Sequence, residues 1–312
     1  MNRSFHNETC ETLLTNALFL FWGFRVAVVT GGNKGIGFEI CRQLASNGVV
    51  VILTARDEKR GLDAVESLKG FGLVDIGFHQ LDVTDIASAA SLASFIETNY
   101  GKLDILVNNA GIGGVEIDHE RLQAVKESDK VDDLESLVKA EPYNMAEDCL
   151  KTNFYGVKHV TEALLPLLHL SNSPRIVNIS SLYGLLSFIP NERIRQKLDD
   201  TDSLTEDDLD EVTRSFLSDF KGGLLETNGW PTSPSAYKIS KAVLNAYTRI
   251  LAKKQPKVIM NCVHPGFVKT DMTLNLGVFT PEEGARGPMK LALLPNDSPS
   301  GLFFNQTELS TF

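Results

Sequence analysis

Thr30-Gly31-Gly32-Asn33-Lys34-Gly35-Ile36-Gly37 decides how the rest of this 312-residue chain is read. The stretch follows the β-branched run RVAVVT (25–30) and leads straight into an apolar helix start, FEICRQLA. Gly31 allows a tight turn, Gly35 lets backbone approach a bound diphosphate, and Gly37 lets the helix lie close on the strand. The helix start also offers free N–H groups and the positive end of its dipole to phosphates. With a strand before it and a helix after it, the loop reads as a dinucleotide-binding turn, not an ordinary strand-to-helix connection.

Working outward, similar strand-like runs recur: VVVILT (49–54), IGFHQLDV (76–83), LDILVNN (103–109), RIVNIS (175–180) and KVIMNCVH (257–264). Several are almost continuously apolar, as strands buried on both faces are. Helix-length segments lie between them, among them Gly35–Asn47, Asp85–Tyr100, Met145–His169 and Ser235–Lys254. Strand–helix–strand alternation predicts an α/β fold, a single doubly wound, Rossmann-like domain with a parallel sheet. We place that domain at residues 25–312, with insertions at about 112–148 and 182–233. Ligands of such sheets bind beyond the carboxyl ends of the strands.

Bulk properties narrow the partners. The net charge of −10 argues against nucleic acid or an anionic membrane as the main partner. Residues 116–148 carry eleven acids against four bases, and 191–220 carry ten against four. The remainder is therefore slightly basic, which suits a phosphorylated cofactor. Cys10, Cys41, Cys149 and Cys262 form no CxxC pair, so neither a disulfide framework nor a metal site is expected. Leu13 to Phe24 is apolar but shorter than the ~20 residues needed to span a bilayer. Its flanks lack a basic leader and a clear cleavage site. Residues 1–24 read as a loosely packed extension in preference to a targeting segment, and the expected compartment is the cytoplasm.

The end of the second strand should choose the cofactor. Thr54-Ala55-Arg56-Asp57 offers Arg56 to a 2′-phosphate, with Lys34 as a second cation, and the pair points to NADPH/NADP+. Asp57 would reverse that preference if the register were one residue out. Tyr237 and Lys241 are four apart in a helical segment and share a face. An ammonium and an oxidised nicotinamide would both favour the phenolate, lowering the phenol from its usual value near ~10. Tyr237 can then protonate a carbonyl oxygen as hydride reaches the carbon.

Taken in order, TGGNKGIG, LTARDEKRG, LVNNAG, KTNFYG, VNISS, the Tyr237–Lys241 helix and PGFVKTD resemble the short-chain dehydrogenase/reductase family over nearly the whole chain from Arg25. The resemblance is greatest to the monomeric carbonyl reductases and the plant menthone/neomenthol and salutaridine reductases. It implies that Ser181 hydrogen-bonds the substrate carbonyl, with Ser180 the less favoured alternative. It makes Tyr237 the general acid and Lys241 the residue that binds the nicotinamide ribose and tunes Tyr237. Asn153 would hold a water linking Lys241 to solvent. Asn33, Lys34 and Ile36 of the glycine loop, Asp82 and Val83 near the adenine, and Asn109, Ala110 and Gly111 would contact the cofactor. So would Pro265, Gly266, Val268 and Thr270.

Ser181 and Tyr237 stand 56 positions apart, where many family members separate them by about a dozen. The intervening stretch, with a helix-like acidic part at Asp199–Phe220, is expected to form a helical lid and to block oligomerising faces, leaving a monomer. Leu182, Leu185, Leu186, Phe188 and Trp230 flank it and suggest a lipophilic carbonyl substrate, for which menthone is one example. Competing readings are NAD-dependent alcohol oxidation, an NADP(H)-binding sensor without turnover, and an epimerase or dehydratase of an extended family. The extended family usually has a differently spaced glycine loop and a longer substrate domain.

Overall fold

Val26–Val29 (β1) and Val50–Ala55 (β2) have every side chain buried, because helices cover both faces of the sheet they share. Ile76–Gln80 (β3) and Ile105–Asn108 (β4) follow. Glu116–Ile117 (β5) and Val138–Ala140 (β6) make a separate antiparallel pair within the first acidic insertion. Arg175–Ile179 (β7), Ile259–His264 (β8), Phe303–Asn305 (β9) and Glu308–Ser310 (β10) complete the set. The computed structural model describes residues 24–128 and 134–312. Residues 1–23, with Cys10 and nearly all of the expected N-terminal extension, lie outside the described residues, as do 129–133.

The main sheet runs β10-β9-β8-β7-β4-β1-β2-β3, parallel except for β10 against β9. The chain goes from β1 outward to β3, then returns to the other side of β1 with β4. That reversal opens a crevice at the carboxyl ends of β1 and β4. The doubly wound, Rossmann-like expectation is met.

Helices Gly35–Ser46 (α1), Glu58–Gly70 (α2), Ile86–Tyr100 (α3), His119–Ser128 (α4), Tyr143–Leu150 (α5) and Gly156–Leu168 (α6) follow their strands or sit in the first insertion. Glu192–Asp199 (α7), Glu206–Gly222 (α8), Ser235–Lys254 (α9) and Pro281–Ala292 (α10) come later. Ile40 and Leu44 of α1, Leu68 of α2 and Met289 of α10 belong to one core, on one face of the sheet. Leu92 of α3, Leu164 of α6 and Val243 of α9 belong to the other.

Three local differences from the sequence reading have plain causes. The expected helix Met145–His169 is two α-helices joined in line by a π turn at Lys151–Tyr155. The acidic helix starts at Glu206, not Asp199, because Thr205 and Asp208 cap its end reciprocally. Strands β9 and β10 were not foreseen; at three residues each they carry too little pattern to read.

Candidate active site

The glycine loop is a tight cradle. A Cβ on Gly37 would stand 2.4 Å from Asn109 Nδ2 and 2.5 Å from Gly31 O, so only glycine lets α1 approach β1 here. Gly31 and Gly35 have φ of +63° and +56°, the region glycine enters without strain. Thr30 Oγ1 accepts from the N–H groups of Asn109 and Ala110, tying the loop to the end of β4. Lys34 at the N-cap gives α1 no side-chain cap, and no acid occupies the first turn. Those amides are open to an anion, so the residues present fit a dinucleotide diphosphate.

Beside the loop lies a cleft of about 500 Å³ whose lining includes Asn33, Lys34, Arg60, Ser67 and Asp271. Arg56, the residue after β2, is exposed, and Arg60 lies in the first turn of α2. Asp57, which had left the cofactor choice open, is committed elsewhere: it caps α2, Oδ1 accepting from Arg60 N at 2.9 Å. Lys34 Nζ pairs with Asp271 Oδ2 at 2.5 Å, both exposed, an ion pair that water screens. Arg60 was missed in the sequence. It sits in the first turn of α2, a position that gains meaning only once Asp57 is known to cap a helix.

The catalytic candidates converge beyond β7. Ser181 follows β7, and its Oγ accepts from Tyr183 N at 3.2 Å and hydrogen-bonds the Tyr237 hydroxyl. Ser180 is turned away, its Oγ donating to Asn245 Oδ1 on α9 at 2.6 Å. Lys241 is buried, donates to Ile179 O at 2.8 Å, and lies 5.6 Å from the Tyr237 ring centre. Desolvation outweighs the Ser181 hydrogen bond and pushes Tyr237 up to about 12. The same cause brings Lys241 down to about 8. In the protein alone, burial thus overrides the expected lowering of the phenol by the ammonium.

Asn153 lies in the π turn. Its Oδ1 accepts from Ile112 N and its Nδ2 donates to Ile112 O, both at 2.9 Å, and Nδ2 also donates to Ser240 Oγ. The side chain braces the loop after β4. It stands close to Lys241: a Cβ on Gly111 would lie 3.2 Å from Asn153 Oδ1 and 3.7 Å from Lys241 Nζ. Asp82 Oδ1 is engaged by Thr84, and buried Val83 packs against Gly156. Pro265 and Gly266 turn the chain after β8, where Gly266 has φ +93°. Val268 is buried, and Thr270 lies against Gly35 of the cradle. His264 is held down to about 4 by burial and stays neutral.

Leu209, Val212 and Phe216 anchor α8 in the core, and the helix runs along α9 and α5. Trp230 packs on Phe216 and donates to Asp219, inside the insertion and not toward Tyr237. The segment near the catalytic residues is Leu182–Phe188, where Tyr183 meets the Tyr237 ring edge-on at 6.3 Å. Tyr183 was not singled out from the sequence.

A model of the short chain dehydrogenase family matches residues 25–191. This chain belongs to that family. The resemblance read from the motifs is borne out. Salutaridine reductase of Papaver bracteatum is 53% identical over 317 residues, spanning 98% of this chain and 99% of that one. (+)-Neomenthol dehydrogenase of Arabidopsis thaliana is 53% identical over 294 residues, spanning 92% and 98%. The solved structure of salutaridine reductase from Papaver somniferum superposes with a TM-score of 0.85 at 54% identity, covering 90% of this chain and 99% of that one. This short-chain dehydrogenase is an oxidoreductase working at a CH–OH/C=O carbon with a nicotinamide cofactor. Among its described residues, no helix is long and apolar enough to cross a membrane.

Proposed function

We propose that the chain reduces a lipophilic ketone or aldehyde to the alcohol, using NADPH, as a cytoplasmic monomer. The observation that carries the reading is the Ser181–Tyr237–Lys241 group beyond β7: a phenol on the same helix as a buried ammonium 5.6 Å from its ring, with the Ser181 hydroxyl at the end of the neighbouring strand. A phenol so placed is protonated at neutral pH, the state a general acid needs for reduction. When bound, a reduced nicotinamide supplies the hydride. Tyr237 holds the proton at Oη for the carbonyl oxygen, and Ser181 Oγ is the second hydrogen-bonding group for that oxygen. Lys241 Nζ keeps positive charge beneath the phenol as it becomes phenolate.

Gly31, Gly35 and Gly37 with the α1 amides would hold the diphosphate, and Arg56, Arg60 and Lys34 a 2′-phosphate. That Lys34 and Arg60 line this cleft beside Asp63 and the Lys34-paired Asp271, that Arg56 is exposed just after β2, and that Asp57 is spent as a helix cap together support NADPH over NADH. Tyr183 against Tyr237, Phe188 against Tyr183 and the neighbouring Leu185, all partly buried, support an apolar substrate; the names of the two relatives suggest a terpenoid or alkaloid ketone.

The test is NADPH oxidation, followed by absorbance, with menthone, a quinone and a medium-chain aldehyde, and with NADH as control. Turnover that collapses in Tyr237→Phe supports the reading. Tight NADPH binding with no turnover favours a sensor, and equal use of NADH removes the cofactor assignment.

A further inference from the structure

The helix that carries Tyr237 begins without a cap of its own. Pro234 precedes it and offers no capping side chain, which leaves the first-turn N–H groups to find partners elsewhere. They find Glu141, more than ninety positions back, at the end of the first insertion. One carboxylate oxygen accepts from Ser235 N at 3.0 Å and Ser235 Oγ at 2.9 Å, and the other from Ala236 N at 2.7 Å. A carboxylate there also meets the positive end of the helix dipole.

The next grip is on Lys238, the residue after Tyr237. Its side chain is only 3% exposed, and a buried ammonium persists only where it is paired. Nζ lies 2.8 Å from Glu135 Oε1 of the first insertion and donates to Thr232 O of the second at 3.2 Å. It also sits over the rings of Tyr183 and Phe188, at 5.2 and 5.6 Å. Tyr183 in turn abuts Tyr237. Both insertions therefore meet at the neighbour of the general acid.

The two grips constrain different motions. Holding the Ser235 and Ala236 amides fixes the helix along its axis. Holding a side chain about 100° around from Tyr237 fixes its rotation. We propose that residues 135–141 act as a clamp on the first turn of α9, in which Glu141 and Lys238 are positioning residues that set where the Tyr237 hydroxyl stands. The proposal rests on the reductase reading, since it acts through Tyr237. A displacement of about 1 Å at a reacting group costs roughly a hundredfold in rate, so the clamp should be visible in kcat.

The experiment uses the full chain with Glu141→Gln, Lys238→Met and Lys238→Arg. Amide exchange by mass spectrometry should quicken over the first turn of α9 in Glu141→Gln and Lys238→Met. In both, kcat should fall by about tenfold or more, while KM and the NADPH Kd by fluorescence stay within about twofold. Lys238→Arg, which keeps the ion pair, should restore most of kcat. Should Lys238→Met not fold, Glu135→Gln removes the same pair from the insertion side. Unchanged exchange at the first turn overturns the clamp, as does a folded variant with wild-type kcat. A loss of NADPH affinity matching the loss of kcat overturns it too, because that is the mark of general destabilisation. Failure of the wild type to turn over any carbonyl sinks the reductase reading instead, and the exchange result still stands for or against the clamp.

Discussion

Ser180 and Ser181 are one peptide bond apart, yet their hydroxyls meet different partners. Ser181 faces Tyr237 and Ser180 is bound to Asn245. Ser181→Ala is expected to lower kcat about a hundredfold by removing a donor to the carbonyl oxygen. Ser180→Ala should leave kcat within a few-fold and cost about 1 kcal/mol of stability, measured by urea unfolding. The motif alone left this choice to family resemblance, although strand alternation held a clue. Asn178 and Ser180, two apart, both turn toward α9. The burial of the Lys241 ammonium and the Tyr237 phenol leads to a second prediction. Lys241, brought down to about 8, is charged below that value and neutral above it. Reduction uses the charged form, so kcat should be level at neutral pH and decline as pH rises through about 8. Tyr237, pushed up to about 12, stays protonated across that range, so the reverse oxidation should quicken with rising pH. Steady-state pH profiles check both, and Lys241→Met should abolish the decline. The pKa directions were not legible in sequence, because they follow from burial that no local pattern records.

At the scale of elements, the boundary between β2 and α2 matters most. Asp57→Ala should cost about 1 kcal/mol through the lost cap without changing the NADPH-to-NADH preference. Arg60→Ala should reduce that preference with little effect on stability, read from the two kcat/KM values. The opposite pattern would mean that Asp57 touches the cofactor. Helix α8 offers a packing test. Phe216 is fully buried against Phe220 and Trp230, and Phe216→Ala should cost about 3–5 kcal/mol by denaturant titration. The parallel strands and their helices were legible because apolar runs of four to six residues alternate with helix-length segments. The reach of Glu141 to α9 was not, since it joins positions far apart in the chain.

Across the whole molecule, the second insertion lies along α9 and α5, covering helix surface that would otherwise face solvent or a second copy. The chain is expected to run as a 34.3 kDa species by light scattering, and a doubled mass at micromolar concentration would contradict that. The order of strands has a consequence for how the protein is made. β1 leaves the ribosome first and ends in the sheet interior, with β2 then β3 on one side and β4, β7, β8, β9 and β10 successively on the other. Apart from β5 and β6, which pair with each other, each emerging strand among the described residues therefore docks on an edge already exposed, and none of these has to be wedged between two that are already paired. Synthesis from the amino end can proceed as layer-by-layer growth, with the nascent chain always offering its next segment to a waiting template.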